Sequence, residues 1–311
     1  MKDRVLEHSK EMIRLGSKSF AGAARILPTA TRRSVYMLYA WCRYCDDQID
    51  EQDLGRDAPS RFSGSADVLA KLKSQTQRAL DGEHVGEPAF AALQRVVARH
   101  DIPARHPLEL LRGFEMDVEG RSFVTLEDTL DYCYHVAGVV GVMMALVMDA
   151  REQEALDRAA DLGIALQMTN IARDVIDDAH AGRVYLPLEW LDEANVPVDE
   201  VADPRHREAV FGVAKRLIES SELYYSSAVH GLSWLEPRCA WAIATARGVY
   251  REIGRTLLRR GTEAWDSRTY VGRPQKAARA LMAGVEAALA VGRRRRRTVS
   301  PDSRKGLRER P

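Results

Sequence analysis

Residues 164–178 read Ile-Ala-Leu-Gln-Met-Thr-Asn-Ile-Ala-Arg-Asp-Val-Ile-Asp-Asp, and the reading of this stretch decides the fold. Gln167, Asn170, Asp174 and Asp178 recur at steps of three, four and four. On a helix turning about 100° per residue they share one line, beside the apolar Ile164, Met168, Ile171 and Val175. A polar stripe bordering an apolar one predicts a helix that edges a core instead of lying on the surface.

A second segment, Leu38-Tyr39-Ala40-Trp41-Cys42-Arg43 running on to Asp46-Asp47-Gln48-Ile49-Asp50, ends the same way. With Cys42 as the zero direction, Val35, Leu38, Cys45 and Ile49 fall within roughly 60° of it, which marks the core stripe. Tyr39, Arg43, Asp46 and Asp50 flank that stripe between about 40° and 100°. Asp47 turns further out, at about 140°, and Asp177 leaves the stripe of the other helix, so both are placed outside the site.

Helical periodicity continues through segments near 3–15, 66–80, 88–100, 107–118, 125–149, 153–179, 205–231, 237–264 and 274–291, with the segment just described over 32–50. Thr125 with Asp128 forms a capping-box pattern, and Pro237 suits a first helical position. No run of alternating strand residues interrupts this, so the fold class is all-α. Val136–Met148 is the most apolar run; at 13 residues it reads as a buried helix, short of the roughly 20 that cross a bilayer. Residues 51–65, rich in Gly, Pro, Ser and charge, read as a mobile loop beside the first acidic motif.

With 311 residues, 45% of them apolar, and no internal linker, the chain reads as one domain over 1–292, followed by a basic tail over 293–311. The formal charge of +1 conceals a tail at +7 on a body at −6. An acidic body argues against nucleic-acid binding. For the tail, with Arg293 to Arg297 in a row, two readings stand: a disordered, solvated end, or attraction to an anionic membrane surface. Cys42, Cys45, Cys133 and Cys239 are too scattered for a disulfide framework, and Cys42 and Cys45 lack the further ligands of a zinc site. A charged N-terminus without a signal pattern, together with thiol usage, indicates a cytoplasmic protein, peripheral to the membrane at most. No glycine-rich strand-turn-helix fingerprint points to a nicotinamide cofactor.

Carboxylates one turn apart, about 6 Å, repel by roughly 3 kcal/mol at an effective dielectric near 20. A bound cation offsets this. Carboxylates and side-chain amides, without His or Cys in phase, select a hard ion: magnesium, with manganese as the alternative. Magnesium held by few carboxylates completes its shell with water and phosphate oxygens, so the substrate should carry a phosphate or diphosphate, which Arg43 and Arg173 are placed to bind.

These segments resemble the squalene and phytoene synthase family, as do Ser17-Lys18-Ser19-Phe20, the Tyr132–Gly141 stretch YCYHVAGVVG, and Gly182-Arg183-Val184-Tyr185-Leu186-Pro187. The resemblance spans almost the whole body. It implies an isoprenoid synthase-type helical bundle around a central cavity, and head-to-head condensation of two geranylgeranyl diphosphates to phytoene through a cyclopropylcarbinyl diphosphate. It further implies that Asp46 and Asp50 face Asp174 and Asp178, with Asn170 joining them on the metal. By the same resemblance Gly16, Ser17, Lys18, Ser19, Tyr39, Arg43, Gln167, Arg173, Tyr250 and Arg268 surround the diphosphates, and Tyr132 lies near the reacting carbons. Spacing alone leaves Tyr132 open between a buried structural tyrosine and a ring that steadies a cation or moves a proton. Val136, Val139, Val140, Met143 and Met144 are candidate cavity walls; His135 reads as a satisfied core histidine, and Gly138 and Gly141 as close-packing positions. The competing readings are a synthase of the same family using farnesyl chains for a dehydrosqualene or presqualene-type product, a chain-elongating or cyclising prenyl enzyme, and a non-catalytic assembly factor.

Overall fold

In the computed structural model, which describes residues 3–50, 66–293, 304 and 306–310, every regular element among the described residues is helical. The chain opens with α1 (Arg4–Gly16), α2 (Lys18–Ala24) and α3 (Thr29–Asp50), then α4 (Ala66–Leu80), α5 (Pro88–His100) and α6 (Arg105–Val118). Next come α7 (Leu126–Cys133), a π-helical turn (Tyr134–Gly138), α8 (Val139–Val147) and the long α9 (Gln153–His180). A short α10 (Leu188–Glu193) leads to α11 (Arg207–Gly231), α12 (Pro237–Arg260) and α13 (Arg273–Arg293). The expected loop over 51–65 lies outside the described residues.

Helix α9 is the axis, packed against α11, α8, α12 and the π turn. It is buried nearly all round, through Ala160, Ile164, Ala165, Met168, Ile171, Ala172 and Val175, which is why a central helix shows little one-sided polarity. Close approach is made possible by missing side chains: a Cβ on Gly141 would strike the Ala159 carbonyl, and one on Gly163 the Ala137 carbonyl. Each added methyl would force the helices apart at a densely packed seam. The Thr125–Asp128 capping box forms, as does the start of α12 at Pro237. On the other side α3 packs on α1, α5 and α4, burying Leu38, Trp41 and Cys45 completely. Each such large side chain contributes roughly 1.5–3 kcal/mol.

Leu126–Val147 is long and apolar enough to cross a membrane, yet most of it is buried inside the bundle, as expected for Val136–Met148. The basic tail departs from its disordered reading at residues 304 and 306–310. Arg304 donates through Nε and Nη2 to the fully buried Asp161, at 2.9 Å each. Arg308 reaches Glu127 and Asp131, both at 2.6 Å, and Arg310 reaches Asp157 at 2.8 Å. Acids on α7 and α9 therefore hold this end of the chain on the body.

Candidate active site

Residues of both α3 and α9 line a cavity of about 1310 Å³. Arg43, Asp46 and Tyr39 reach it from α3, and Gln167, Asn170 and Arg173 from α9. Tyr132, Tyr250 and Arg268 also line it, with Gly16 and Ser17 from the α1–α2 junction, and Arg14, Arg25, Arg158, Arg273 and Lys276 add further positive charge. A Cβ on Gly16 would collide with the Tyr39 hydroxyl, so the bare backbone lets that phenol approach. Ser17 caps α2 by accepting from the Phe20 amide at 3.2 Å. Lys18 and Ser19 begin α2 next to this junction; their side chains lie outside the described parts.

The walls separate by helical phase. Val136, Val140 and Met144 line the cavity together with Ala137, Gly141 and Ala145, whereas Val139 and Met143 are fully buried in the core behind. Two of the five expected wall residues are therefore packing residues, because they lie one residue off the cavity-facing line. The wide π turn sits in this wall, where such turns often re-aim side chains. Cys42, expected in the core, faces the cavity, while Cys45 is core. His135 is satisfied, Nδ1 lying 2.8 Å from the Asp131 carbonyl.

Arginines organise the acids. Arg43 bonds Asp46 at 2.8 Å and Asp47 at 2.5 Å. Asp47, placed outside by phase, is thus buried and fixes an arginine of the cavity; its partner Arg43 is what turns it inward. Arg173 forks onto Asp174 at 2.8 and 2.5 Å, and Arg268 stands 3.7 Å from the same carboxylate. Arg183 bonds Asp50 at 2.6 Å and is the strongest positive influence on Asp178. One guanidinium from the end of α9 therefore serves both acidic motifs. Gly182, at φ 79°, makes the reversal that turns Arg183 back. Asp177 is exposed. Asp50, Asp174 and Asp178 are not among the residues that line the cavity.

Enclosure pushes the Asp46 carboxyl up to about 7; Arg43 opposes this, and Asp50, Asp47 and Asp117 reinforce it. Its side chain keeps 41% exposure, directed into the cavity instead of bulk solvent. Burial and then Asp174 raise Asp178 well above the usual carboxylate range. Beneath them lies a group absent from the sequence reading. Asp117 accepts from the Tyr132 hydroxyl at 3.0 Å and from the Tyr185 hydroxyl at 2.8 Å, and the two rings stack at 4.7 Å. Burial pushes Asp117 up to about 6 against the pull of Arg183. Its signal was an acid at a position in phase with Leu110 and Phe114, the apolar stripe of α6.

This arrangement of phased acids, arginines and a deep apolar chamber coincides with sequence likeness along the chain. The squalene/phytoene synthase family model matches residues 13–291. The chain belongs to the squalene/phytoene synthase family. It is 51% identical over 280 residues to a phytoene synthase of Pseudescherichia vulneris, covering 90% of this chain and 91% of that one. It is 48% identical over 284 residues to a 15-cis-phytoene synthase of Pantoea ananas, covering 91% and 92%. Among solved structures, a dehydrosqualene synthase matches with a TM-score of 0.82 at 26% identity, covering 92% of this chain and 97% of that one. The family acts on prenyl diphosphates and generally uses divalent metals, and the chain is a prenyltransferase.

The donors of this squalene/phytoene synthase-type site suit a hard divalent cation. All are oxygens, and Asn170 Oδ1 is buried without a hydrogen-bond partner. Among the described residues no three Asp, Glu, His or Cys side chains close into a cage around one point.

Proposed function

We propose that this enzyme joins two geranylgeranyl diphosphates head to head, through a cyclopropylcarbinyl diphosphate, to give phytoene, the first committed step toward carotenoids. The observation that carries this reading is the near-50% identity to proteins named phytoene synthase along nine-tenths of the chain. The cavity supports it: about 1310 Å³ exceeds the roughly 300–1,000 Å³ of a typical single-ligand site and suits two long chains.

Magnesium is the proposed ion, held by Asp46, Asp50, Asn170, Asp174 and Asp178; when bound it would act as a Lewis acid on the leaving diphosphate. Arg43, Arg173 and Arg268, with Tyr39, Tyr250, Gln167 and the Gly16–Ser19 turn, bind and orient the diphosphates. Val136, Val140 and Met144 exclude the water that would quench a carbocation. Tyr132 lines this chamber with its hydroxyl fixed on Asp117 and its ring backed by Tyr185. Its π face steadies positive charge, and its Oη, bonded to a carboxylate, offers a path for the final proton.

Purified protein with magnesium, incubated separately with geranylgeranyl and farnesyl diphosphate and followed by hydrocarbon analysis, tests the reading. Phytoene from the longer substrate is expected, with loss on chelation and recovery on adding magnesium or manganese. Turnover of farnesyl diphosphate alone would replace phytoene with a dehydrosqualene-type product, and no turnover of either would favour an assembly role.

A further inference from the structure

Helix α13 is apolar on the wrong side. Ala283, Ala287 and Ala290 face inward and are buried against the body, while Leu281, Met282, Val285 and Leu289 point to solvent at 73%, 62%, 63% and 60% exposure. At about 100° per residue, Ala277, Ala278, Leu281, Met282, Val285, Ala288 and Leu289 fill a sector of roughly 140° that contains no charged residue. A surface helix ordinarily turns its polar face outward. The charges that α13 does carry in its middle are drawn inward, Arg279 to Glu252 and Glu286 to Arg247. Trp241 of α12, at 38% exposure, donates its indole N–H to the Ala280 carbonyl at 2.7 Å and borders the same face.

We propose that this face docks on a lipid bilayer bearing anionic headgroups. Four large apolar side chains around an exposed tryptophan match a helix lying in the interface plane. The charge matches too. Arg273 is exposed at the start of α13, the sequence at its end reads Arg293 to Arg297, and the exposed face holds no acid on a chain whose remainder is acidic. A second copy fits less well, because pairing two α13 faces in either direction along the helix sets basic end against basic end. A membrane answers both ends at once. The location is also continuous with the cavity: Arg268, Tyr270 and Lys276 line it, and the segment leads directly into α13. Resting on the prenyl diphosphate reading, this places the opening where a water-insoluble substrate arrives and a hydrocarbon leaves.

The test is flotation of the full chain with phosphatidylcholine vesicles, with and without phosphatidylglycerol, alongside the triple variant Leu281→Ser/Val285→Ser/Leu289→Ser. The wild type should float with the anionic vesicles, and the triple variant should bind at least about tenfold more weakly with an unchanged melting curve. Arg273→Glu should weaken binding a few-fold, less so at high salt. Turnover of detergent-dispersed substrate should be the same in the triple variant and the wild type. A wild type that stays with the lipid-free fraction, or a triple variant that floats equally well, overturns the proposal. So does concentration-dependent dimerisation that the same three substitutions abolish while neither protein binds vesicles. Lack of turnover in both proteins would sink the synthase reading and leave the flotation result standing.

Discussion

The acidic ends of α3 and α9 carry similar negative charge but neutralise it differently. On α3 each acid has a cation of the protein: Arg43 for Asp46 and Asp47, Arg183 for Asp50. On α9 Arg173 and Arg268 both attend Asp174, while the Asp178 carboxylate makes no hydrogen bond or salt bridge among the described residues. Burial and the neighbouring Asp174 keep Asp178 reluctant to ionise. Each end thus sets three acids against two arginines, but on α3 the arginines reach every acid, whereas on α9 both crowd onto Asp174 and leave Asp178 to cations brought from outside. Tight metal binding and acid strength should therefore diverge between the two ends.

Removing a ligand should have the largest effect. Asp178→Asn, Asp174→Asn and Asp46→Asn are each expected to lower kcat by about a thousandfold or more, with the fold intact by circular dichroism and melting. The comparison sharpens in the metal-free protein. Asp178→Asn should raise stability there, because the amide replaces an acid whose ionisation desolvation and Asp174 oppose. Asp174→Asn should lower it, since it strips Arg173 of its fork. Near-normal turnover in any of the three would remove that residue from the metal shell.

Arg183→Gln tests whether one guanidinium joins the two ends. Asp50 would lose its bond and Asp178 its strongest positive influence, so a fall of about a hundredfold in kcat/KM and roughly 3 kcal/mol in stability is expected. Arg183→Lys should recover part of the stability but less of the rate, since an ammonium cannot replace the fork. Equal behaviour of the Gln variant and the wild type would show that each acidic end works alone.

Much of this was legible in the sequence, for a definable reason. Long helices such as α3, α9 and α12 bury whole faces, so their apolar periodicity exceeds local noise, and their starts and ends fell within a few residues. The seven-residue α2 and six-residue α10 escaped because so few turns show no period. The polar stripes of α3 and α9 are properties of single helices and could be read off them. Arg183, Asp117 and Tyr185 could not, because their roles arise where separate elements meet: a glycine reversal aims the first, and a tyrosine pair from two segments closes on the second. The burial of Asp47 was hidden for a related reason, since phase gives direction but does not reveal what an arginine four residues earlier will hold.

Asp117 lies below the α3 end and has the next smaller effect. Its carboxyl titrates near 6 in the folded protein and near 3.8 when unfolded, so the folded form binds its proton more tightly. Below both values the group contributes nothing either way. Between them stability falls as pH rises, by up to about 3 kcal/mol once pH exceeds 6. In metal-free protein Asp117→Asn should flatten that slope in urea titrations between pH 4 and 6. Turnover should drop by about tenfold, because an amide can accept from one tyrosine but must donate to the other. A slope unchanged by the substitution would mean that Asp117 is not the source of that pH dependence.

The smallest effects give the cleanest comparison, because Asp47 and Asp177 occupy similar places in the two motifs and differ mainly in surroundings. Asp47 has only 9% side-chain exposure and lies 2.5 Å from Arg43; Asp177 is exposed. Asp47→Asn weakens the second anchor of an arginine that faces the diphosphates, so KM should rise about tenfold, equivalent to roughly 1.4 kcal/mol, with a smaller change in kcat. Asp177→Asn should leave both constants within about twofold, since an exposed charge near other acids is screened by water and salt. If the two variants behave alike, Arg43 does not rely on Asp47 for its position, and the pairing at the α3 end reduces to the Arg43–Asp46 and Arg183–Asp50 bonds.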